Sequence, residues 1–268
     1  MSNKAIPIAF DVLGTCFDLR GAVPALCSAC PTLAASSDSD SNSSLANVVV
    51  DDWFHSAQRD FTYLSMNGTY KPIAQVLKAT LPRVLAMHNL LPRDSQSSTL
   101  DPFTRTAETY SDLLAPIFEQ LKRLPARPGL DAASETLLSS RGPHFRLMAA
   151  TNGSLEMTKG LFTAALGEDH ARRWEYYSCD EDRVAKPAPS VYDAIRKRLG
   201  VHDGDECWFV ASHTWDLFAA KKAGFKTAFV TYEEHFVLED VFGKPDIVAT
   251  DMEDMAKQIK AAAAAVGE

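Results

Sequence analysis

Short apolar runs that end in small or polar residues recur along the chain, at 6–10, 145–150, 174–178, 208–211, 227–231 and 247–249. They are too short for helices and mostly lack a polar face, which predicts strands buried on both sides. Helical patterns lie between most of them. One spans 190–199 behind Pro187 and Pro189, and another spans 215–223 and is closed by Gly224 at a C-cap position. Strand and helix alternate, so the expected class is α/β with a parallel sheet. Ligands of such sheets sit beyond the carboxyl ends of the strands, which directs attention to Asp11, Thr151 and the 212–216 turn.

The stretch 18–125 breaks this alternation. It is rich in helix formers, with 47–66 and 104–124 as its longest helical candidates, and predicts a helical insertion after the first strand. Inside it, the Ser/Asp/Asn tract 35–44 has almost nothing apolar to bury and is expected to be a mobile surface loop without chemistry. The alanine run 261–265 is expected to end a helix begun after Asp251.

Composition narrows the function. Of 268 residues, 46% are hydrophobic and 23% charged, which excludes disorder for the bulk of the chain. The net charge of −8 repels phosphate backbones and anionic lipid, so neither nucleic acid nor membrane is an expected partner. No apolar run is long enough for an export signal or a membrane span, and a cytoplasmic location is expected. Five scattered cysteines fit no disulfide framework. Cys27 and Cys30 have half-zinc-site spacing, but no second pair completes a metal site.

Four polar turns carry the candidate chemistry. Asp11 follows the first strand, and Gly14 allows a sharp turn behind it. Thr151-Asn152-Gly153-Ser154 ends the second strand and opens a helix, converging hydroxyl, amide and free N–H groups where negative charge can be held. Lys186-Pro187 stands before another helix. Ser212-His213-Thr214-Trp215-Asp216 adds a hydroxyl, an imidazole and a second carboxylate.

In this order the four turns resemble the motifs of the haloacid dehalogenase superfamily, and within it the chain is most similar to the type II branch, the L-2-haloacid dehalogenase-like proteins. The resemblance implies a Rossmann-like core, 1–17 with 126–268, split by an α-helical cap domain, 18–125. It implies covalent catalysis by carboxylate: Asp11 displaces halide from a small 2-haloacid with inversion, and water hydrolyses the resulting aspartyl ester. On the same resemblance Asp216 orients or deprotonates that water and Lys186 balances the two carboxylates. Thr151 and Asn152 hold the substrate carboxylate or an oxyanion, and Leu13, Phe54, Ser212, Tyr192 and Trp215 complete the substrate-binding set. No cofactor or metal is implied. Dimers are common among such proteins, but no heptad seam or apolar patch in this sequence supports a homodimer independently.

Most superfamily members are Mg²⁺-dependent phosphatases, with a second Asp two residues after the nucleophile to protonate the leaving alkoxide. That position is Leu13 here. General acid help is typically worth about 10² to 10⁴ in rate, whereas halide leaves without a proton. The fourth motif offers Asp216 but no adjacent acidic pair for Mg²⁺. The chain departs from the dehalogenases too. They carry Tyr at the Leu13 position, Asn at the His213 position, and a halide-gripping Arg where the ungapped match about Trp53 and Gly68 puts Phe54. A charge-assisted hydrogen bond is worth roughly 1.5–3 kcal/mol, so its loss costs about one to two powers of ten unless replaced. Arg20 and Arg59 are the two substitutes, and the sequence does not choose between them; Arg59 is turned roughly 140° from Phe54 on a helix. His213 either hydrogen-bonds neighbouring loops or assists the hydrolytic water, since imidazole titrates near neutral pH. The competing expectations are a related hydrolase of a non-halogen or phosphate substrate, and a degenerate member that binds a small acid without turnover.

Overall fold

The computed structural model describes residues 5–34, 45–91 and 110–265. The tract 35–44 and the first residues of the 104–124 pattern lie outside them. The described part of that second pattern forms the Ser111–Leu121 helix.

Six parallel strands form one sheet: β1 (Ile6–Phe10), β2 (Phe145–Thr151), β3 (Glu175–Ser178), β4 (Trp208–Ala211), β5 (Lys226–Val230) and β6 (Ile247–Ala249), in the order β3-β2-β1-β4-β5-β6. The strands are nearly all buried, as their unbroken apolar composition requires. Pro7 is tolerated in this central strand because of where it falls. The Asp11 N–H bonds Val210 O at 2.9 Å, so odd positions of β1 face β4, yet pairing with β4 begins only at Ile8 with Trp208. The missing N–H of Pro7 therefore interrupts no bond in that ladder.

Three strands differ in their edges from the sequence pattern. β2 runs one residue further, to Thr151. Trp174 precedes β3 rather than opening it, and its ring packs on Phe10 at 5.0 Å and Phe162 at 4.7 Å. β5 starts at Lys226, whose N–H bonds Cys207 O at 2.9 Å, and stops before Thr231.

Two compact units emerge, Met1–Asp18 with Pro125–Glu268, and Leu19–Leu124. In the first, the two chain crossings are stitched by a Phe17–Ala126 antiparallel bridge and by the Asp18 N–H donating to Pro125 O at 2.9 Å. In the second, the Leu45–Met66 and Ile73–Met87 helices pack together, with Trp53 Nε1 donating to Leu77 O at 2.9 Å and the Trp53 ring edge-on to Phe118. No helix among the described residues is long and apolar enough to cross a membrane. All five cysteines are free thiols.

Candidate active site

The strand order reverses at β1, which has β2 on one flank and β4 on the other. Loops leaving β1 and β4 diverge there and open the crevice that such sheets use for ligands. Asp11 stands at its head. The turn behind it needs Gly14 at φ +87°, and a Cβ there would lie 2.9 Å from His213 Cε1 and 3.1 Å from Glu233 Cγ.

Lys186 is buried, and its ammonium donates to Asp11 Oδ1 at 2.6 Å, to Asp216 Oδ2 at 2.7 Å and to Ala150 O at 3.2 Å. All three of its N–H groups are thereby used, which is what a buried ammonium requires. Its own backbone N–H donates to Asn152 Oδ1 at 3.0 Å, so the second motif holds the third in place. The other oxygen of Asp11 accepts the Thr15 hydroxyl at 2.8 Å, and Thr15 Oγ1 in turn accepts the Ser212 N–H at 2.9 Å. His213 Nδ1 lies 3.7 Å from that same Asp11 Oδ2. First, second, third and fourth motifs are thus joined around one carboxylate.

Electrostatics follow from this packing. Burial pushes the Asp11 carboxyl up, but Lys186 and then His213 outweigh it and hold it well below the usual carboxylate range. Burial pushes Lys186 down, and Asp11 with Asp216 push it further up, so it stays charged. For Asp216 burial dominates, reinforced by Asp11, and its carboxyl is raised. His213 is depressed by burial but raised on balance by Asp11, Glu233 and Glu234.

Several residues expected from the sequence take different places. Asp216 is fully buried, one oxygen accepting from the Lys186 ammonium and the other from the Tyr192 hydroxyl. Tyr192 lies in the core cluster and serves Asp216 rather than a substrate surface. Leu13 is buried and bridges to Phe17. Thr151 Oγ1 accepts the Gly153 N–H at 2.8 Å and keeps its own proton to donate. Ser212 is buried beside Thr15, and Trp215 is half-buried with its ring 5.6 Å from that of His213. Phe54, Arg20 and Arg59 belong to the Leu19–Leu124 unit. There Phe54 is buried 6.3 Å from the His55 ring, Arg20 grips Asp51 with two bonds, and Arg59 pairs with Asp60 at 3.3 Å.

Residue patterns alone gave no role to four further residues. Thr15 bridges Asp11 and Ser212. Glu234 accepts both the N–H of Thr214 at 2.9 Å and its hydroxyl at 2.6 Å, capping the Thr214–Lys222 helix that carries Asp216. Arg127 and Glu233 form an ion pair against Gly14. The acidic pair 233–234 at the carboxyl end of β5 was the one available signal.

The donor set does not fit a divalent cation. The Lys186 ammonium already fills the space between the two carboxylates, the Leu13 side chain supplies no oxygen, and no cluster of three or more potential ligands occurs among the described residues.

Comparison with known proteins places this geometry. A family described as hydrolase, haloacid dehalogenase-like hydrolase, matches residues 8–224. The chain is 35% identical over 106 residues to (S)-2-haloacid dehalogenase 4A of Burkholderia cepacia, covering 40% of this chain and 43% of that one. It is 32% identical over 117 residues to (S)-2-haloacid dehalogenase 1 of Pseudomonas sp. (strain CBS-3), covering 44% and 49%. The match thus spans just under half the length of either relative. The solved L-2-haloacid dehalogenase of Xanthobacter autotrophicus superposes with a TM-score of 0.72 over 96% of this chain and 98% of that one, at 19% identity, which establishes a shared fold.

Proposed function

Since the chain belongs to the haloacid dehalogenase-like hydrolases, we propose that it hydrolyses a carbon–halogen bond in a small 2-haloacid, with Asp11 as nucleophile. The observation that carries this reading is the Asp11 carboxylate, kept ionised at the sheet's switch point by Lys186 at 2.6 Å and Thr15 at 2.8 Å, with leucine where a general acid would stand.

An Asp11 oxygen attacks the carbon, the carbon–halogen electron pair departs with halide, and an aspartyl ester forms. Lys186 holds the attacking group in line and keeps two buried carboxylates tolerable in one site. Water then adds to the ester carbonyl, which is Asp11 Cγ, and the ester bond breaks as the leaving alkoxide takes up the proton that the water gave, releasing the 2-hydroxyacid; the Asp11 carboxyl so formed loses its proton to solvent. The nucleophile is restored with one oxygen from water. We assign the water's proton to His213, whose Nδ1 lies 3.7 Å from Asp11 Oδ2. Ester formation cancels the Asp11 charge, the partner that most raises His213, and so makes its neutral, basic form easier to reach just when it is needed. Arg20 and Arg59, each paired with an aspartate of its own unit, are the candidates for the halide, and separate alanine variants distinguish them.

The experiment is halide release from a panel of 2-haloacids beside a generic phosphomonoester, with and without Mg²⁺. Halide release unaffected by chelation is expected; phosphate release that needs Mg²⁺ would overturn the reading. Single turnover in ¹⁸O water should place label in Asp11. His213→Asn should leave the first burst of halide intact and let the ester accumulate. If His213 is the base, turnover rises with pH as it loses its proton, with a midpoint for kcat below that of His213 in the free enzyme.

A further inference from the structure

Arg127 follows the second chain crossing and lies outside the four motifs. Its guanidinium is enclosed and engages four groups. Nε donates to Gly14 O at 3.2 Å, one terminal nitrogen pairs with Asp18 at 3.0 Å, the other pairs with Glu233, and the Tyr232 ring lies 5.1 Å beneath Cζ. Its backbone N–H donates to Cys16 O at 2.8 Å. One side chain therefore ties the nucleophile turn, the first crossing and the loop after β5 together. Glu233 Cγ and His213 Cε1 both press on the spot above Gly14 Cα, where a Cβ would lie 3.1 Å and 2.9 Å from them.

We propose that Arg127 is a positioning residue for Asp11 and His213, its planar fork fixing the Gly14 turn with one edge and seating the Glu233 carboxylate beside the imidazole with the other. The proposal rests on the catalytic reading for its kinetic consequence only. Lysine keeps the charge but cannot hold three acceptors in one plane. The charged groups around His213 are Asp11 after β1 and Glu233 with Glu234 after β5. Lys186 reaches it through Asp11, Asp216 on its own helix reaches it through Lys186, and Arg127 reaches it through Glu233. Removing the Arg127 charge therefore favours protonated His213, and removing the Glu233 charge disfavours it.

The test is an NMR titration of the His213 imidazole in the full chain, which needs no turnover. Arg127→Met should raise its midpoint by about half a unit or more and Glu233→Gln should lower it comparably, with the double variant between them. Arg127→Lys should titrate like the wild type. In the same variants, Arg127→Lys should lower kcat for chloride release from 2-chloropropionate about tenfold with KM unchanged, the mark of a loosened reacting geometry. Midpoints that stay fixed in both Arg127→Met and Glu233→Gln overturn the proposal, as does full kcat in Arg127→Lys. A wild-type chain that releases no halide overturns the catalytic reading instead, and the His213 midpoints still decide whether Arg127 seats Glu233.

Discussion

The core unit contains two clusters that invite a catalytic reading, and they are built in opposite ways. Ser134, His170 and Glu135 are by residue type the more familiar set. Ser134 Oγ lies 2.8 Å from His170 Nε2, but Glu135 approaches that same nitrogen, at 3.9 Å, rather than Nδ1, so it cannot orient the ring for proton transfer. Ser134 Oγ also accepts the Trp174 indole N–H at 2.9 Å, and Glu135 is half exposed and shared with Arg173. Asp11, Lys186 and Asp216 are less familiar, yet both bonds among them converge on the Lys186 ammonium, which holds one carboxylate at the carboxyl end of a central strand. The proposed chemistry follows from the direction of the hydrogen bonds and the place in the sheet, whereas residue type alone would have chosen the other cluster.

The largest effect that can break this contrast is Asp11→Asn. Halide release should fall on the order of 10⁴-fold or more while the melting curve survives, and retained release would remove the nucleophile from the argument. Next is Lys186→Met, which strands two buried carboxylates and should cost about 3–5 kcal/mol in denaturant unfolding. The same pairing sets an acid limb. The Asp11 pKa is depressed in the fold, so its contribution to stability is present above its unfolded value of 3.8 and is lost as pH falls further. Asp216 is shifted the other way and relaxes on protonation, so the limb should steepen in Asp216→Asn, read as melting temperature against pH. Tyr192→Phe removes one bond to a buried carboxylate. It should cost about 1.5–3 kcal/mol and lower kcat without changing KM, because it acts through Asp216 and Lys186.

The parts of this site that were legible in the sequence are those that local pattern controls. Strands 6–10 and 208–211 could be read to the residue, because a strand buried on both faces must be apolar and must stop where polar groups begin, and 247–249 could be too, although Val248 on this edge strand is exposed. Asp11 stood out because it sits at such a stop, Lys186 because a Lys-Pro pair precedes a helix, and Asp216 because it belongs to the polar turn after β4. Trp174 misled because a large ring beside a strand looks like part of it, whereas its indole N–H seeks Ser134. Arg127 and Glu233 were invisible for a different reason. Arg127 is 113 residues from Gly14 and 106 from Glu233, and nothing near it in the chain marks a guanidinium that will close a turn. The hydrogen bond that occupies the second Asp216 oxygen was hidden too, because it comes from Tyr192, 24 residues away.

The smallest expected effect sharpens the comparison most directly. His170→Ala removes a hydrogen bond to Ser134 from a mostly enclosed ring but leaves Ser134 Oγ as acceptor for Trp174. The loss is one net hydrogen bond, about 0.5–1.5 kcal/mol in unfolding, with halide release at the wild-type rate. Ser134→Ala should cost somewhat more, since it also leaves the buried Trp174 N–H unsatisfied, and should again spare turnover. If either substitution lowered halide release with the fold intact, the serine cluster would be coupled to the reaction, and the distinction drawn from bond direction and sheet position would fail.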